Sequence, residues 1–528
     1  MKHKNNAFTE EWQLYEKGKE YNYSINLYET VNTNERFFRG DQWDNLNSGG
    51  LPKPVFNIFN RIIGFFTSSI MQTPIKMRYS FASPVGNYGF GEKESRAASK
   101  KLNAIIDSRW EKTKMNELLA DSLTDAASSG TAVCYTYWDS EIKTGQAFSG
   151  DFRSVLIDNT NVFFGNPNSK NVQNQPYILI AQRETVSDLI RQAKKNGIPK
   201  ESIDRIVPDD DLATQSGDMA KHELEGTKCI SLIKLWKDEN GRVLYRKSVK
   251  NAVIKDTTET MLTLYPIAFY NWNSVKNSWL GTAVGTGLIE NQIFINKGFA
   301  MVMKHMMDTA FSKVVYDSTV LDNWSDRVGE AIAVNGPVES VAKVISPGEM
   351  QSGMLDVIQM AINNTKEFMG ATDAALGDVA PNNTSAILAL QNASAVPLEN
   401  VKRNMYQFIE NIGLIWLDFM FSYYDDKRLV ATIDDGKEQY VEFSLSGFKD
   451  AIFGCTIDVG ASSYWSEISA LNTLDSLLKL GKITTVQYLE RIPDGLIPDR
   501  ERLIEEIKTA EEAAINEGGI TKIEKNQQ

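Results

Sequence analysis

The period of the apolar positions changes along the chain. Over 8–40, Trp12, Tyr15 and Lys19, then Ile25 and Tyr28, recur every three to four residues among many charges, which predicts helix. A second helical stretch over 56–66, Phe-Asn-Ile-Phe-Asn-Arg-Ile-Ile-Gly-Phe-Phe, is closed by Gln72-Thr-Pro74. A strand is expected over 75–80 and two amphipathic helices over 92–129. From Gly130 to Trp138 the composition turns β-rich, and hairpin-like strands continue to about 183. A short helix over 184–196 and a polar loop over 204–226 follow. Strands are expected again over 229–237, 243–253 and 262–270. The first half therefore reads as an α/β mixture with antiparallel character.

The second half has a different texture. Between Gly285 and Phe311 there is no proline, and Ile289, Ile293, Ala300, Met303 and Met307 keep helical spacing. This predicts a helix of about 26 residues, about 39 Å long. A small insert over 312–351 carries strand-like Val314-Val-Tyr316 and 342–345, Trp324, and the turn signals Asn335-Gly-Pro337 and Ser346-Pro-Gly348. A second long helix is expected over 352–375. Two long helices bracketing an insert form a hairpin that cannot cover all its apolar sides alone, so neighbours are expected. After a loop of small residues, 376–385, helical periodicity runs over 385–424 with one interruption, Pro397, where a kink is expected. Strands over 428–433, 439–445 and 455–459 precede a tail read as helical over 467–480, 484–490 and 499–514. The fold class is α+β.

Composition narrows the chemistry. The chain has 528 residues, 42% hydrophobic and 23% charged, with a formal net charge of −12, which argues against a basic nucleic-acid binder. No run approaches the roughly 20 apolar residues of a membrane span, and Asp418 interrupts the apolar stretch over 412–421. The start, MKHKNNAFTEEW, has no apolar stretch after its basic residues, so no leader and no membrane partner are expected. Cys134, Cys229 and Cys455 lie far apart and suit a reducing compartment.

The signatures of catalysis are missing. His3, His222 and His305 are dispersed, with no CxxC, HExxH, GxSxG or GxxxxGK[ST], so no metal, no cofactor and no enzymatic act is expected. The cluster Gly281-Thr-Ala-Val-Gly285-Thr-Gly287 lacks the P-loop lysine and reads as a flexible hinge launching a helix. Asp209-Asp210-Asp211 reads as a solvated loop rather than a cation site, and Asp425-Asp426 and Asp434-Asp435 as turn residues. Trp43 and Trp324 are taken as packing anchors. Met301, Met303, Met306, Met307, Met354 and Met360 are taken as adaptable packing between subunits.

Four phrases, in order, resemble those of tailed-bacteriophage portal proteins: Phe37-Phe-Arg-Gly-Asp-Gln-Trp43, Asn57-Ile-Phe-Asn-Arg61, Gly287-Leu-Ile-Glu-Asn-Gln-Ile-Phe-Ile-Asn296 and the stretch from Gly481 to Pro493. The order of elements is similar too. The resemblance implies a wing over 1–284, stem helices over 285–311 and 352–375, and a clip over 312–351. It also implies a channel or tunnel loop over 376–385, a kinked long helix and wing return over 386–460, and a helical crown over 461–528. It further implies a dodecamer at one capsid vertex of the virion, assembled in the host cytoplasm. Double-stranded DNA passes through such a ring non-specifically. The implied partners are the terminase large subunit, the major capsid protein, and head-completion (adaptor) and tail proteins. The alternative is another ring-forming head–tail connector or scaffold protein, whose chains are shorter.

Elementary geometry fits a conduit. Twelve helices spaced by about 10 Å enclose a circle about 38 Å across, leaving a bore of roughly 28 Å. Tight electrostatic binding would stall a moving duplex, because each phosphate contact deepens affinity. Over 286–380 the chain carries six basic side chains against twelve acidic ones. Lys297 and Lys304, seven apart, share a helix face and are candidates for a sparse positive ring facing DNA. The competing reading for them is ion pairing with Glu290, Asp308 or Glu367. Asn382, Asn383 and Thr384 are candidates for the loop tip that touches DNA; the competing reading is a turn capped by Thr384 or Ser385.

Overall fold

The three- and five-stranded sheets of the chain are antiparallel throughout, and some of the helices pack against them while others pack on one another. The computed structural model describes residues 8–44, 46–71, 75–82, 92–144, 149–209, 227–310, 313–321, 325, 327, 331, 333–334, 337, 341–345, 353–371, 396–424, 429–434, 437–442, 452–458, 474–489, 491–492, 503–504 and 506–507. The chain divides into two units, one of 1–71 with 79–456 and one of 72–78 with 457–528. The fold is mixed α+β.

In the large unit, α1 (Glu10–Ser24) and α2 (Leu27–Arg39) replace the single helix expected over 8–40. Asn26 takes a left-handed φ of 56°, which asparagine tolerates better than most residues, and the chain turns there. Ile25, expected on the buried stripe, is exposed at this corner. Next come α3 (Ile58–Met71), β1 (Lys76–Ala82, whose first three residues are counted with the small unit), α4 (Glu92–Lys112) and α5 (Met115–Ser129), close to expectation. β2 (Thr131–Lys143) lies between β3 (Ser149–Ile157) and β9 (Ile267–Asn271), with Cys134 facing Leu156 on one side and Ala268 on the other. Central placement explains why the first six residues of β2 are all buried.

A second sheet is a five-stranded meander of β4 (Val162–Phe164), β5 (Ile178–Thr185), β6 (Lys228–Lys237), β7 (Val243–Val249) and β8 (Ala252–Glu259). The single strand expected over 243–253 is thus a hairpin that reverses at Lys250-Asn251. Alternation along β6 divides the sheet's two cores. Ile230 and Leu232 join Trp12, Tyr15, Phe163 and Leu179 under α1. Cys229 joins Leu189, Ala193, Val249 and Ile254 under α6 (Val186–Lys195), with Ile203 of α7 (Lys200–Ile203). Glu11 is fully buried on the α1 side, where Arg246 Nη1 and Ser248 Oγ each donate to it at 3.3 Å. A cleft of about 760 Å³ is lined by residues of both sheets, among them Tyr135, Trp138 and Tyr245, and by Tyr423 from a later helix; its Lys247 is paired with Glu184 at 2.6 Å.

Downstream lie α8 (Ile289–Thr309), the antiparallel pair β10 (Lys313–Tyr316) and β11 (Ala342–Ile345), and α9 (Gly353–Phe368). The helix expected over 285–311 starts as a 3₁₀ turn, Gly285–Leu288. The one expected over 352–375 stops at Phe368. Gly370, at φ +74°, closes it: its N–H bonds Glu367 O and that of Ala371 bonds Lys366 O, the paired bonds of a left-handed glycine cap. Trp324, Asn335-Gly336 and 346–348 lie outside the described residues.

Then α10 (Glu399–Tyr423) crosses the three-stranded sheet. Met405, Phe408, Ile412, Ile415, Trp416 and Phe419 are buried at helical spacing, and Trp416 Nε1 donates to Ser154 Oγ at 2.8 Å. Asp418, the charge in this apolar run, accepts from the Thr263 and Leu264 N–H groups at 2.9 Å and so pins the loop before β9. Pro397 sits in the 3₁₀ turn that opens α10, where its missing N–H costs nothing; the helix expected before it, 385–395, lies outside the described residues. β12 (Leu429–Asp434) and β13 (Lys437–Glu442) pair in a register that leaves Asp435-Gly436 between them, and β14 (Ile452–Asp458) follows.

In the small unit, residues 474–479 are helical. The short helix Thr485–Leu489 begins with a reciprocal cap: Thr484 Oγ1 accepts from Gln487 N and Gln487 Oε1 from Thr484 N, both at 3.2 Å. Of the helix expected over 499–514, only 503–504 and 506–507 are described, and they are helical.

Candidate functional site

The feature that stands apart is the hairpin of α8, β10, β11 and α9. Its two helices meet along Ile295, Val302 and Ile358, with Phe299, Met354, Ala361 and Ile362 packed around them. Gly298 permits the approach, since a Cβ there would lie 2.9 Å from Ile358 Cγ1. Away from this seam, apolar side chains are exposed among the described residues. Phe294 and Met301 on α8 are 52% and 45% exposed, and Val357, Met360 and Phe368 on α9 are 52%, 60% and 86% exposed. Full burial of one such side chain is worth about 1.5–3 kcal/mol, so the bare flanks hold a large driving force for association.

Lys297 and Lys304 each follow by two positions a residue of the seam, Ile295 and Val302. Both therefore point about 200° away from α9. Lys297 is exposed. Lys304 Nζ pairs with Asp308 Oδ1 at 2.6 Å, one of the competing readings, and both side chains stay about half exposed. Asn382, Asn383 and Thr384 lie outside the described residues.

At its base the hairpin is held by side chains that carry no chemical signature. Gln42, Gln292 and Asn296 are at most 2% exposed. Asn296 Nδ2 donates to Gln42 Oε1 at 2.6 Å, and Gln42 Nε2 to Phe37 O and Asn57 Oδ1 at 3.0 Å. Gln292 Nε2 donates to Phe56 O at 2.7 Å and to Asn296 Oδ1 at 3.0 Å, while Gln292 Oε1 accepts from Phe59 N at 3.2 Å. Asn57 Nδ2 completes the lattice at Phe38 O, 3.1 Å. Trp43 is buried beside it and donates through Nε1 to Pro54 O at 2.7 Å. Every member is neutral, and the network joins the segments 37–43, 56–60 and 292–296. Sequence reasoning picked out Trp43 as an anchor but passed over the amides. Their one signal is that they fall inside three of the four phrases, which the fold brings together.

Two of the three glycines in the cluster before α8, Gly281 and Gly285, are packed rather than serving as the flexible hinge expected, while Gly287 has open space around it. A Cβ on Gly285 would lie 2.4 Å from Phe59 Cζ, and one on Gly281 would lie 2.7 Å from Gly130 O. These glycines let backbone and ring approach closely. Asp209 is likewise no solvated loop residue. It accepts from Arg183 Nη1 at 2.7 Å and from Ile230 N at 2.8 Å, whereas Asp210 and Asp211 lie outside the described residues. Among the described residues no three His, Cys, Asp or Glu side chains converge on a metal position, and no helix is long and apolar enough to cross a membrane.

Residues 196–464 match the family described as phage P22-like portal protein. The chain belongs to that family. It is a tailed-phage portal protein, a structural component of the phage capsid. The match takes in the hairpin and the whole of α10, so the portal assignment rests on the same stretch that carries the bare helix flanks. Comparison with the curated proteins finds no match.

Proposed function

We propose that twelve copies of this portal protein close into a ring at one capsid vertex. The ring is the conduit through which terminase pumps DNA during packaging and through which the genome leaves. In this reading residues 1–284 form most of the wing, 285–311 and 352–375 the stem, and 312–351 the clip that meets terminase, then head-completion and tail proteins. Residues 376–385 form the channel loop, 386–460 the return through the wing and 461–528 the crown. The major capsid protein surrounds the wing.

One observation carries the proposal: α8 and α9 cover each other along one seam and leave apolar flanks bare on each helix. A head-to-tail contact that sets one hairpin's flank against the next covers them and closes into a ring when the rotation permits. Lys297 and Lys304, and Asn382, Asn383 and Thr384 in the loop, are proposed as sparse contacts to passing DNA. Native mass measurement with negative-stain micrographs tests the reading: a twelve-subunit ring is expected, and a monomer at every concentration refutes it.

A further inference from the structure

The last turn of α5 is gripped from two sides. Asn34 of α2 donates through Nδ2 to Ser128 O at 2.7 Å and to Thr286 Oγ1 at 2.9 Å, at the root of the stem. Asn159, in the 3₁₀ turn Asn159–Asn161, donates through Nδ2 to Ser129 O at 3.1 Å. With both nitrogens occupied by adjacent carbonyls of one helix end, both carboxamide oxygens finish beside that end. Neither Asn34 Oδ1 nor Asn159 Oδ1 has a hydrogen-bond donor among the described residues, and neither do Thr160 Oγ1 and Asn161 Oδ1. Asn34, Asn159 and Thr160 are 0%, 2% and 1% exposed. Of the seven buried side-chain polar atoms without a partner among the described residues, four lie in these two segments, and all four are oxygens. Buried oxygens are rarely left unmatched, and a cluster of them calls for a donor or a positive ion.

The electrostatics point the same way. Asp125 lies three and four residues before Ser128 and Ser129, on the same face of α5. Three acidic neighbours act on it, Asp158 from the residue before the 3₁₀ turn, Asp121 from its own helix and Glu35 from α2, and the phenol of Tyr270 on β9 also lies within its field. Burial and these three neighbours push its carboxyl up to about 7. Glu35 is engaged by Arg39 at 3.1 Å, and Asp158 Oδ2 accepts from Asn161 Nδ2 at 3.4 Å. The C-terminal end of a helix adds partial negative charge.

We propose that the oxygens of Asp125, Asn34, Asn159 and Thr160 bind a hard divalent cation of the calcium type, tying α2, α5 and the 159–161 turn together beneath the stem root. The donor set is oxygen only, which disfavours the softer transition metals. Its irregular mixture of carboxylate, amide and hydroxyl suits calcium's flexible coordination better than the octahedron magnesium requires. With a single carboxylate in the set, a Kd on the order of 10⁻⁴–10⁻³ M is expected, the range of weakly charged sites. The inference does not depend on ring formation.

Calorimetric titration of calcium chloride into the purified full chain tests it. About one equivalent per chain is expected, with magnesium weaker. Asp125→Asn should weaken binding at least tenfold, and Thr160→Val several-fold. Asp125→Asn removes a repelled charge, so the variant should fold, which circular dichroism checks. Absence of saturable calcium binding by the unaltered chain overturns the proposal. So does saturable binding left unchanged by both substitutions, which would place the ion elsewhere in this acidic chain.

Discussion

The base and the flanks of the α8–α9 hairpin solve opposite problems. At the base, Gln42, Asn57, Gln292 and Asn296 satisfy one another and the surrounding backbone, so that region is finished within one chain. Along the flanks, Phe294, Met301, Val357, Met360 and Phe368 stand exposed, and nothing among the described residues finishes that region. Directional bonds fix where the hairpin leaves the body. The non-directional apolar surface leaves open how closely neighbours settle against it. A ring whose subunits must align needs the first property at the root and the second between copies.

The comparison breaks most visibly on the flank. Replacing Val357 and Met360 together with aspartate places charges on a face that is already solvated, so folding should be nearly unchanged, with a thermal midpoint within about 1 °C. Ring assembly, read by native mass, should be abolished. Intact rings from this variant would show that the face contributes nothing to association, and the contrast with the base would collapse.

Next in size is the charge buried beside the stem root. Asp125 ionises near 3.8 when exposed but near 7 in the fold, so between these values the folded chain holds a proton that the unfolded chain has released. Stability contributed by this proton is fully present below about pH 4 and lost as pH rises through 7. The shift corresponds to a change on the order of 4 kcal/mol. Unfolding midpoints in chelator should therefore fall from pH 5 to pH 8, and Asp125→Asn should flatten that slope. The neutral amide clamp predicts no such dependence, so an unchanged slope in the variant assigns the titration to another group.

The clamp itself comes third. Asn296→Ala strands Gln42 Oε1 and the Phe56 N–H, which donates to Asn296 Oδ1 at 3.4 Å, and Gln42→Ala strands Asn296 Nδ2. Each should cost about 2 kcal/mol by urea unfolding, since a buried group left unmatched forfeits its solvation. The double variant should recover about 1 kcal/mol of the summed loss, because the two residues serve each other. Strict additivity would mean that the 2.6 Å bond between them contributes little.

How much of this was legible in sequence follows from what each feature depends on. Periodicity located α3, α5, α6 and the pair β10–β11 to within a few residues, because their apolar stripes face one fixed partner. It overran where a single residue decided the boundary. Asn26 divides the first helix, Lys250-Asn251 reverses a strand, and Gly370 ends α9 inside an apolar run. The bare flanks were foreseeable because a two-helix hairpin has more apolar positions than one seam can cover. The clamp was not, because glutamine and asparagine announce no chemistry, and its three segments are separated by up to 254 residues. The proposed cation oxygens were hidden for the same reason: Asn34 Oδ1 and Thr160 Oγ1 gain meaning only when the fold buries them without a donor among the described residues.

The smallest stability effect belongs to Lys304. Its pair with Asp308 spans one helical turn in the open, where such pairs contribute a few tenths of a kcal/mol, so Lys304→Gln should leave the unfolding midpoint nearly unmoved. The useful comparison is functional. A lysine that acts by meeting DNA is freed when its partner is neutralised, so Asp308→Asn should leave packaging normal or raise it, while Lys304→Gln lowers it. Lys297→Glu with Lys304→Glu should lower it further and leave rings intact. A lysine that acts only through the ion pair gives a different pattern, with Asp308→Asn and Lys304→Gln equally impaired. Counting packaged genomes in the two single variants thus separates a contact directed at the bore from one that merely decorates the hairpin's exposed side.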